Sequence, residues 1–152
     1  MSQETPTPLF IDTGGFYAAY VEDDANHARA SAVFDAIQAG EYGPIFTSRY
    51  VLAELATVIL YRKSHYHAVS TLEELRTSET INVVPVTEDI FDAANERFVD
   101  YDDQEIAFFD HLGGALAREY EIEHVFTFDP DDFHTLGFTV VPVDTADSSR
   151  RK

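Results

Sequence analysis

Four carboxylate residues stand where a chain of this size could build a catalytic site. Asp12 and Asp129 each end a short apolar run, which is typical of a residue that follows a buried strand. Glu54 and Asp110 each lie within a longer segment with the periodicity of an amphipathic helix. Carboxylates that meet in space can bind a divalent cation, and such a cation can activate a bound water.

Glu54 and Asp110 both interrupt the apolar face of a predicted helix. Glu54 lies four residues after Tyr50 and four residues before Val58, so its side chain projects among apolar neighbours. Asp110 lies four residues after Ile106 and repeats the anomaly. A lone buried carboxylate costs several kcal/mol or stays protonated. Neither helix has a Lys or Arg on the same face within one turn, so we expect an external cation to compensate these charges.

The donor set indicates which cation. The chain has no cysteine, and four oxygen-only ligands favour the hard cations Mg²⁺ or Mn²⁺ over zinc or copper. His111 follows Asp110 directly, but adjacent helix residues point about 100° apart, so we expect His111 to leave the cluster. The other histidines are expected to be surface groups rather than ligands: His27, His65, His67, His124 and His134.

An interpretation without a metal is also open at this point. In it, the two strand-end aspartates are helix N-caps, and the two helix carboxylates pair with Arg49 or Arg118 across the fold. This explanation must hold at four positions independently, whereas one bound cation accounts for all four.

The elements that must position these residues alternate between strands and helices. The predicted strands are Leu9–Asp12, Pro44–Thr47, Ile81–Val86, His124–Phe128 and Phe138–Val143. The predicted helices are one after Gly14-Gly15, one capped by Asn26 through Gln38, one from Thr47 or Ser48 to Lys63, one from Ser64 to Ser78, one capped by Thr87 over Ile90–Val99, and one over Glu105–Tyr120. This order favours an α/β sandwich around a mainly parallel sheet of about five strands. Ligands of such sheets bind beyond the carboxyl ends of the strands, where the two strand-end aspartates lie.

Composition limits the class of protein. The 152 residues are 45% hydrophobic, enough for one folded domain, and the absence of cysteine excludes disulfides, thiolate metal sites and cysteine nucleophiles. The N-terminus has no signal-peptide pattern, and no apolar run approaches the roughly 18 residues of a membrane span. We therefore expect a soluble cytoplasmic protein.

The charge balance is strongly acidic, with 10 Lys+Arg against 28 Asp+Glu and a formal net charge of −18. Lys63 and Lys152 are the only lysines. This composition favours a halophilic origin, because molar salt shortens the Debye length to about 3 Å and screens carboxylate repulsion. The alternative is a mesophilic protein with an ordinary solvated acidic face.

The segments that carry the four carboxylates resemble the PIN domain family. The matching segments are Asp12-Thr13-Gly14 after the first strand, SRYVLAELATVIL with Glu54, IAFFDHLGGALA with Asp110, and TFDPDDF followed by GFTVVPV. The resemblance covers Leu9 to Val143, and the compact length is similar to that of the VapC-type toxins of toxin–antitoxin pairs. It implies a PIN-like three-layer sandwich over residues 9–143, between a flexible lead-in of residues 1–8 and a disordered tail of residues 144–152.

The resemblance also implies a function. It suggests a metal-dependent endoribonuclease that uses Mg²⁺ or Mn²⁺, forms a homodimer and is inhibited by a small antitoxin protein. Asp12, Glu54, Asp110 and Asp129 match the family's catalytic and metal-binding positions. Thr13 and Thr127 match hydroxyl residues beside the first and last acids, where they could bind substrate or assist a metal-bound water; a structural role is the alternative. Asp131 or Asp132 could be a peripheral ligand, although helix capping is the simpler role.

Arg49 precedes Glu54 on the same predicted helix and is the candidate to hold a substrate phosphate, with an ordinary surface arginine as the alternative. Aspartyl-phosphate chemistry is a rival enzyme class, but Lys63 and Lys152 are misplaced for the cation that it needs, and no phosphate-binding GxxxxGK[ST] loop occurs. Two further alternatives are an RNA-processing nuclease outside a toxin–antitoxin pair and a catalytically inactive PIN-like binding module.

Overall fold

A single parallel sheet organises the chain. The computed structural model describes residues 6–145. Its strands are β1 (Thr7–Ile11), β2 (Tyr42–Ser48), β3 (Ile81–Val84), β4 (His124–Phe126) and β5 (Thr139–Val141). They pair in the order β3-β2-β1-β4-β5, and every pairing is parallel. The predicted α/β sheet of about five strands is confirmed, and it is entirely rather than mainly parallel.

Helices cover both faces of the sheet. They are α1 (Thr13–Tyr20), α2 (His27–Gln38), α3 (Arg49–Arg62), α4 (His65–Thr77), α5 (Glu88–Asp100), α6 (Phe108–Glu119) and α7 (Pro130–Thr135). α1 packs on α2 and α3, α3 packs on α4, and α6 packs on α5 and α7. Because parallel crossovers are right-handed, α1–α4 lie on one face and α5–α7 on the other. None of these helices combines the length and apolar character that a membrane crossing requires.

The strand order reverses between β1 and β4. The chain moves outward from β1 through β2 to β3, and then crosses back to place β4 on the other side of β1. Leu9 pairs with His124 and Ile11 with Phe126, so the two strands end at the same level. Parallel sheets open a crevice at such a reversal, beyond the carboxyl ends of the strands. The residues that follow β1 and β4 therefore line this crevice.

Several predicted boundaries were too generous. β3 stops at Val84, because Pro85 has no N–H to donate to a neighbouring strand. α6 begins at Phe108 rather than Glu105, since the backbone of Ala107 is still extended. Ile106, which supported the apolar spacing around Asp110, therefore lies outside the helix, although its side chain is buried.

The predicted N-caps divide into two groups. The Ser64 hydroxyl accepts a hydrogen bond from the His67 N–H, and the Thr87 hydroxyl accepts one from the Ile90 N–H, so both caps are confirmed. Asn26 and Ser48 precede α2 and α3 as predicted, but neither side chain caps its helix.

The ends of the predicted domain also shift. Thr7 and Pro8, predicted to belong to a flexible lead-in, are part of β1. Asp144, predicted to belong to the tail, accepts hydrogen bonds from the Val140 N–H at 2.7 Å and from the His134 ring at 2.8 Å. The remaining predictions for the two ends fall on residues 1–5 and 146–152, which lie outside the described residues.

Candidate active site

Asp12 and Asp129 lie at the crevice between β1 and β4. Asp12 follows β1 directly, and its N–H donates to the Phe126 carbonyl oxygen of β4 at 3.1 Å. Asp129 precedes α7. Both occupy N-cap positions, but neither side chain caps its helix. The interpretation of these two carboxylates as helix caps is therefore wrong, and their oxygens remain available for another partner.

Close packing of α1 against β4 brings these two ends together. A Cβ at Gly15 would lie 2.8 Å from the Phe126 carbonyl oxygen, so only glycine permits this approach without movement. The Thr127 hydroxyl is buried and accepts a hydrogen bond from the Asp129 N–H at 3.3 Å. Thr127 therefore fixes the turn that presents Asp129, which is a positioning role.

Glu54 reaches the same centre from α3. The Thr13 hydroxyl donates a hydrogen bond of 2.6 Å to Glu54 Oε1. Thr13 and Glu54 are separated by 41 positions in sequence, so this contact joins the start of α1 to α3. Thr13 thus orients the Glu54 carboxylate beside Asp12, a positioning role that the sequence did not predict.

The environment of Asp12 disfavours its charged form. The pKa of Asp12 is raised to about 7 by burial first, which a hydrogen bond from the Thr13 backbone opposes and to which the charges of Glu54 and Asp129 add. Asp12 is only 8% exposed. Burial beside two other carboxylates, without a positive charge to compensate them, favours the protonated form of a carboxyl group.

Asp110 projects from the first turn of α6 and contacts Asp132 of α7. Burial, a hydrogen bond to Asp132 and the charges of Asp12, Asp132 and Asp129 all raise the pKa of Asp110 well above its ordinary value. Two carboxylates can share a hydrogen bond only when one of them carries a proton. The pair therefore needs either a proton or a cation between its oxygens.

We call Asp12, Glu54, Asp110, Asp129 and Asp132 the carboxylate centre. The four predicted acids are brought together by the fold, and Asp132 joins them. Sequence reasoning had favoured helix capping for Asp132; its position three residues after Asp129, on the same face of α7, was the available signal.

Within residues 6–145, no Lys or Arg is among the groups that shift the pKa of Asp12 or Asp110. Lys63 pairs with Asp23, Arg76 with Glu73, and His134 with Asp144, and none of these three salt bridges involves the carboxylate centre. Arg118 instead donates to the Leu136 carbonyl oxygen at 2.7 Å and lies over the Phe138 ring. The interpretation that pairs Glu54 and Asp110 with Arg49 or Arg118 is therefore wrong.

The chemistry of the donors fits a hard divalent cation, because every candidate ligand is a carboxylate oxygen. Within the described part of the chain, however, no three acidic or histidine side chains already converge at ligand distances. Rotation of the carboxylates would be needed to surround an ion. Burial and the repulsion between carboxylates raise the pKa values of Asp12 and Asp110. A bound cation would offset that repulsion.

Tyr50 is a second residue that sequence reasoning did not assign to the site. Burial and the charges of Asp12, Asp110 and Glu54 raise the pKa of its phenol. Its hydroxyl oxygen is buried and has no hydrogen-bond partner among the described residues. Tyr50 lies one turn before Glu54 on α3, a spacing that was used only to define an apolar helix face. An unpaired phenol beside three carboxylates can donate to a bound anion or water.

Arg49 and His111 do not join the carboxylate centre. Arg49 is five positions before Glu54, which places the two side chains about 140° apart around α3, and Arg49 instead lines a cavity with Arg76. His111 leaves the centre as predicted. Its ring is buried between the edges of Phe98 and Tyr101, with centroids 5.8 and 5.5 Å away.

Two other histidines differ from the expectation of surface groups. The His27 ring contacts the Ala18 carbonyl oxygen at 2.9 Å, and the His67 ring contacts the Tyr20 carbonyl oxygen at 2.8 Å. Both rings are partly buried and hold the end of α1 in place, so they have a structural role that polarity alone did not predict.

Comparison with known proteins identifies related chains. The profile of the family described as PIN domain matches residues 9–139. The 23S rRNA-specific endonuclease VapC20 of Mycobacterium tuberculosis (strain CDC 1551 / Oshkosh) is 32% identical over 133 residues, which cover 88% of this chain and 97% of that protein.

Solved structures agree with this match. The crystal structure of Mycobacterium tuberculosis VapC20, described as a Sarcin-Ricin loop cleaving toxin, has a TM-score of 0.77 at 30% identity and covers 86% of this chain and 96% of its own. FitAcB from Neisseria gonorrhoeae shares the fold at a TM-score of 0.66 and 18% identity, over 87% of this chain and 95% of its own. VapBC2 from Rickettsia felis, bound to a promoter DNA fragment, shares the fold at a TM-score of 0.66 and 14% identity, over 88% of this chain and 97% of its own. With the matching profile and a relative of this identity over most of its length, the chain belongs to the PIN domain family.

Proposed function

We propose that this protein is a metal-dependent endoribonuclease and the toxin of a type II toxin–antitoxin pair, with residues 9–143 as its nuclease domain and the cytoplasm as its location. The observation that carries the proposal is the carboxylate centre at the β1/β4 crevice, where, within residues 6–145, no Lys or Arg is among the groups that shift the pKa of Asp12 or Asp110. The relatedness to a 23S rRNA-specific endonuclease supports RNA as the substrate.

Asp12, Glu54, Asp110 and Asp129 would hold one or two Mg²⁺ or Mn²⁺ ions, with Asp132 at the periphery. A bound ion of this kind lowers the pKa of water and stabilises the oxygen that leaves phosphorus. The chain's own residues then have separate tasks. Thr13 orients Glu54, Thr127 fixes the turn of Asp129, and the unpaired Tyr50 hydroxyl donates to a non-bridging oxygen of the scissile phosphate.

The same charge pattern defines the partners. RNA is a polyanion and is repelled by an uncompensated acidic crevice, so divalent ions must neutralise the centre before substrate binds. A small antitoxin that inserts a basic side chain into the centre would compete with the ions, and its inhibition would weaken as Mn²⁺ rises. Structural neighbours that are toxin–antitoxin complexes, such as VapBC2, support such a partner. A homodimer is part of this proposal.

The test uses the full chain and a 23S rRNA fragment that contains the sarcin–ricin loop, the RNA named for the related toxin. We expect cleavage with Mn²⁺ or Mg²⁺ and none with EDTA. Asp12→Asn should abolish cleavage, whereas the exposed neighbour substitution Asp131→Asn should retain it. Cleavage that persists in EDTA, or at the wild-type rate in Asp12→Asn, would contradict the metal-dependent mechanism.

A further inference from the structure

A cavity lies on the opposite side of α3 from Glu54. It has a volume of about 400 Å³ and is lined by Arg49, Leu52, Ala53, Leu72, Arg76 and Val83. Two guanidinium groups therefore face a space whose other walls are aliphatic. Cavities of about 300–1,000 Å³ are the size that encloses small ligands. This combination fits a flat or apolar group that carries an anion.

Cationic side chains are scarce in this chain, and Arg49 and Arg76 differ from the others in their contacts. Seven Lys or Arg residues lie within residues 6–145. The other five contact protein groups: Arg29 with Asn26, Arg62 with Tyr17, Lys63 with Asp23, Arg97 with Tyr101 and Arg118 with Leu136. Arg49 has no hydrogen bond or ion pair with any residue in 6–145, and Arg76 has only an exposed pair with Glu73.

The start of α3 adds to the positive character of the cavity. Arg49 is the first residue of this 14-residue helix, whose first turn contains no acid. The Ser48 side chain does not cap the helix, so the N–H groups of the first turn are not occupied by it. Free N–H groups and the helix dipole both favour an anion at this end.

The start of α3 connects the cavity with the carboxylate centre. The Thr47 hydroxyl donates to the Ile11 carbonyl oxygen at 2.9 Å, which joins the end of β2 to the residue before Asp12. α3 starts two residues after Thr47 and carries both Arg49 and Glu54. An RNA strand bound at the carboxylate centre can therefore cross the first turn of α3 and reach the cavity.

We infer that the cavity is a nucleotide subsite for the RNA flanking the scissile bond, with one phosphate on Arg49 and Arg76 and one base against Leu52, Leu72 and Val83. This inference rests on the proposed ribonuclease function for its substrate. A nucleotide fits better than an acidic peptide, because two guanidiniums match the oxygens of a single phosphate, and a base is flat enough for aliphatic walls.

The experiment measures binding in EDTA, so that it does not depend on cleavage. Uridine and adenosine 5′-monophosphates are titrated into ¹⁵N-labelled full chain, with the free nucleosides and a short peptide of alternating leucine and aspartate as comparisons. We expect amide shifts at Ala53, Leu72 and Val83, and at least tenfold weaker binding of the nucleosides. Arg49→Ala and Arg76→Ala should each weaken nucleotide binding about tenfold.

Two further variants separate shape from charge. Ala53 is exposed at the cavity, so Ala53→Phe should fill it and abolish binding while both arginines remain. Arg62→Ala removes an exposed charge from the other end of α3 and should leave binding unchanged. Equal losses in Arg62→Ala and Arg49→Ala would show only general charge attraction and overturn the subsite. Unchanged binding in Ala53→Phe would overturn it as well.

The remaining outcomes distinguish the subsite from the proposed function. Nucleotide shifts outside the cavity, or peptide binding tighter than nucleotide binding, would overturn the subsite, the latter in favour of a protein partner. If RNA is cleaved and KM is the same in Arg49→Ala/Arg76→Ala as in the wild type, the subsite fails and the nuclease stands. If nucleotides bind in the cavity but no RNA is cleaved with any divalent ion, the nuclease fails and the nucleotide site stands.

Discussion

Asp12 and Asp144 both follow a strand of the same sheet, yet their carboxylates have opposite surroundings. Asp144 accepts hydrogen bonds from the Val140 N–H and the His134 ring. Partial burial alone would raise the pKa of Asp144, but these donors hold it below its ordinary value. Asp12 instead faces Glu54 and Asp129, and its pKa rises to about 7.

The difference distinguishes a structural carboxylate from one kept for a ligand. Asp144 has its donors within the protein, so its charge stabilises the turn after β5. Asp12 and Asp110 have acids as neighbours, so their charges destabilise the fold unless a cation or proton is present. Raised pKa values in a crevice, with no partner in the described chain, are the physical signature of a site arranged for binding.

The largest expected effect concerns activity. Asp12→Asn and Asp110→Asn should each lower the rate of RNA cleavage at least about a hundredfold, because each removes a metal-binding charge at nearly constant volume. Asp144→Asn should leave the rate within about twofold and lower the free energy of unfolding by about 1 kcal/mol, through a weakened hydrogen bond. Single-turnover cleavage and urea unfolding measure the two effects. Comparable losses of activity in all three variants would remove the distinction between the two regions.

Stability should depend on pH with opposite signs in the two regions. The folded-state pKa of Asp12 is raised from about 4 to about 7, so the folded state binds more protons than the unfolded state between these pH values. Without divalent ions, the free energy of unfolding should therefore fall as the pH rises from about 4 to about 7. The Asp12 contribution is on the order of a few kcal/mol. Asp144 has a lowered pKa, so its stabilisation is present above pH about 4 and is lost below it.

Variants assign each part of this pH profile. Asp12→Asn should flatten the fall between pH 4 and pH 7, and Asp144→Asn should flatten only the loss below pH 4. Millimolar Mn²⁺ should raise the melting temperature more at pH 8 than at pH 5, because it replaces protons at the carboxylate centre. An Asp12→Asn profile with the wild-type slope would mean that other groups cause the fall.

Residues at the edge of the carboxylate centre should have intermediate effects. Tyr50→Phe removes an unpaired buried hydroxyl, so we expect about a tenfold loss of kcat, with unchanged or higher stability. Asp132→Asn keeps a hydrogen bond to Asp110 but removes a charge, so it should raise the Mn²⁺ concentration needed for half-maximal activity about threefold to tenfold. A Tyr50→Phe enzyme with full kcat would limit the phenol to a packing role.

Salt should have the smallest effect on the comparison between Asp12 and Asp144, because it should change the melting temperature mainly through exposed charges. Molar KCl screens exposed charges within about 3 Å, so the melting temperature of this chain with 28 acids should rise with salt. The rise should be equal in wild type and Asp12→Asn, because buried charges are screened less. RNA cleavage should persist at molar KCl. A protein that is fully folded in dilute buffer and loses cleavage steeply with salt would contradict the halophilic interpretation of the composition.

The sequence alone was sufficient for the fold class and for four members of the site. Short apolar runs around Phe10 and Val125 are typical of buried strands, and strands that alternate with helices favour parallel pairing. Glu54 and Asp110 were visible because a charge on an apolar helix face violates a periodic pattern. Such local signals survive folding, since the spacing of residues fixes which of them share a face.

Only the tertiary structure decided which side chains meet. Asp132 contacts Asp110 from another helix, and the packing of α3 places the Tyr50 hydroxyl near Asp12, Asp110 and Glu54. Arg49 and Arg76 line one cavity although 27 positions separate them, and Asp144 differs from Asp12 in its greater exposure and in the donors that surround it. Charge compensation depends on distances between elements that are remote in sequence. Those distances follow from the packing of the helices on the sheet and not from any local pattern of residues.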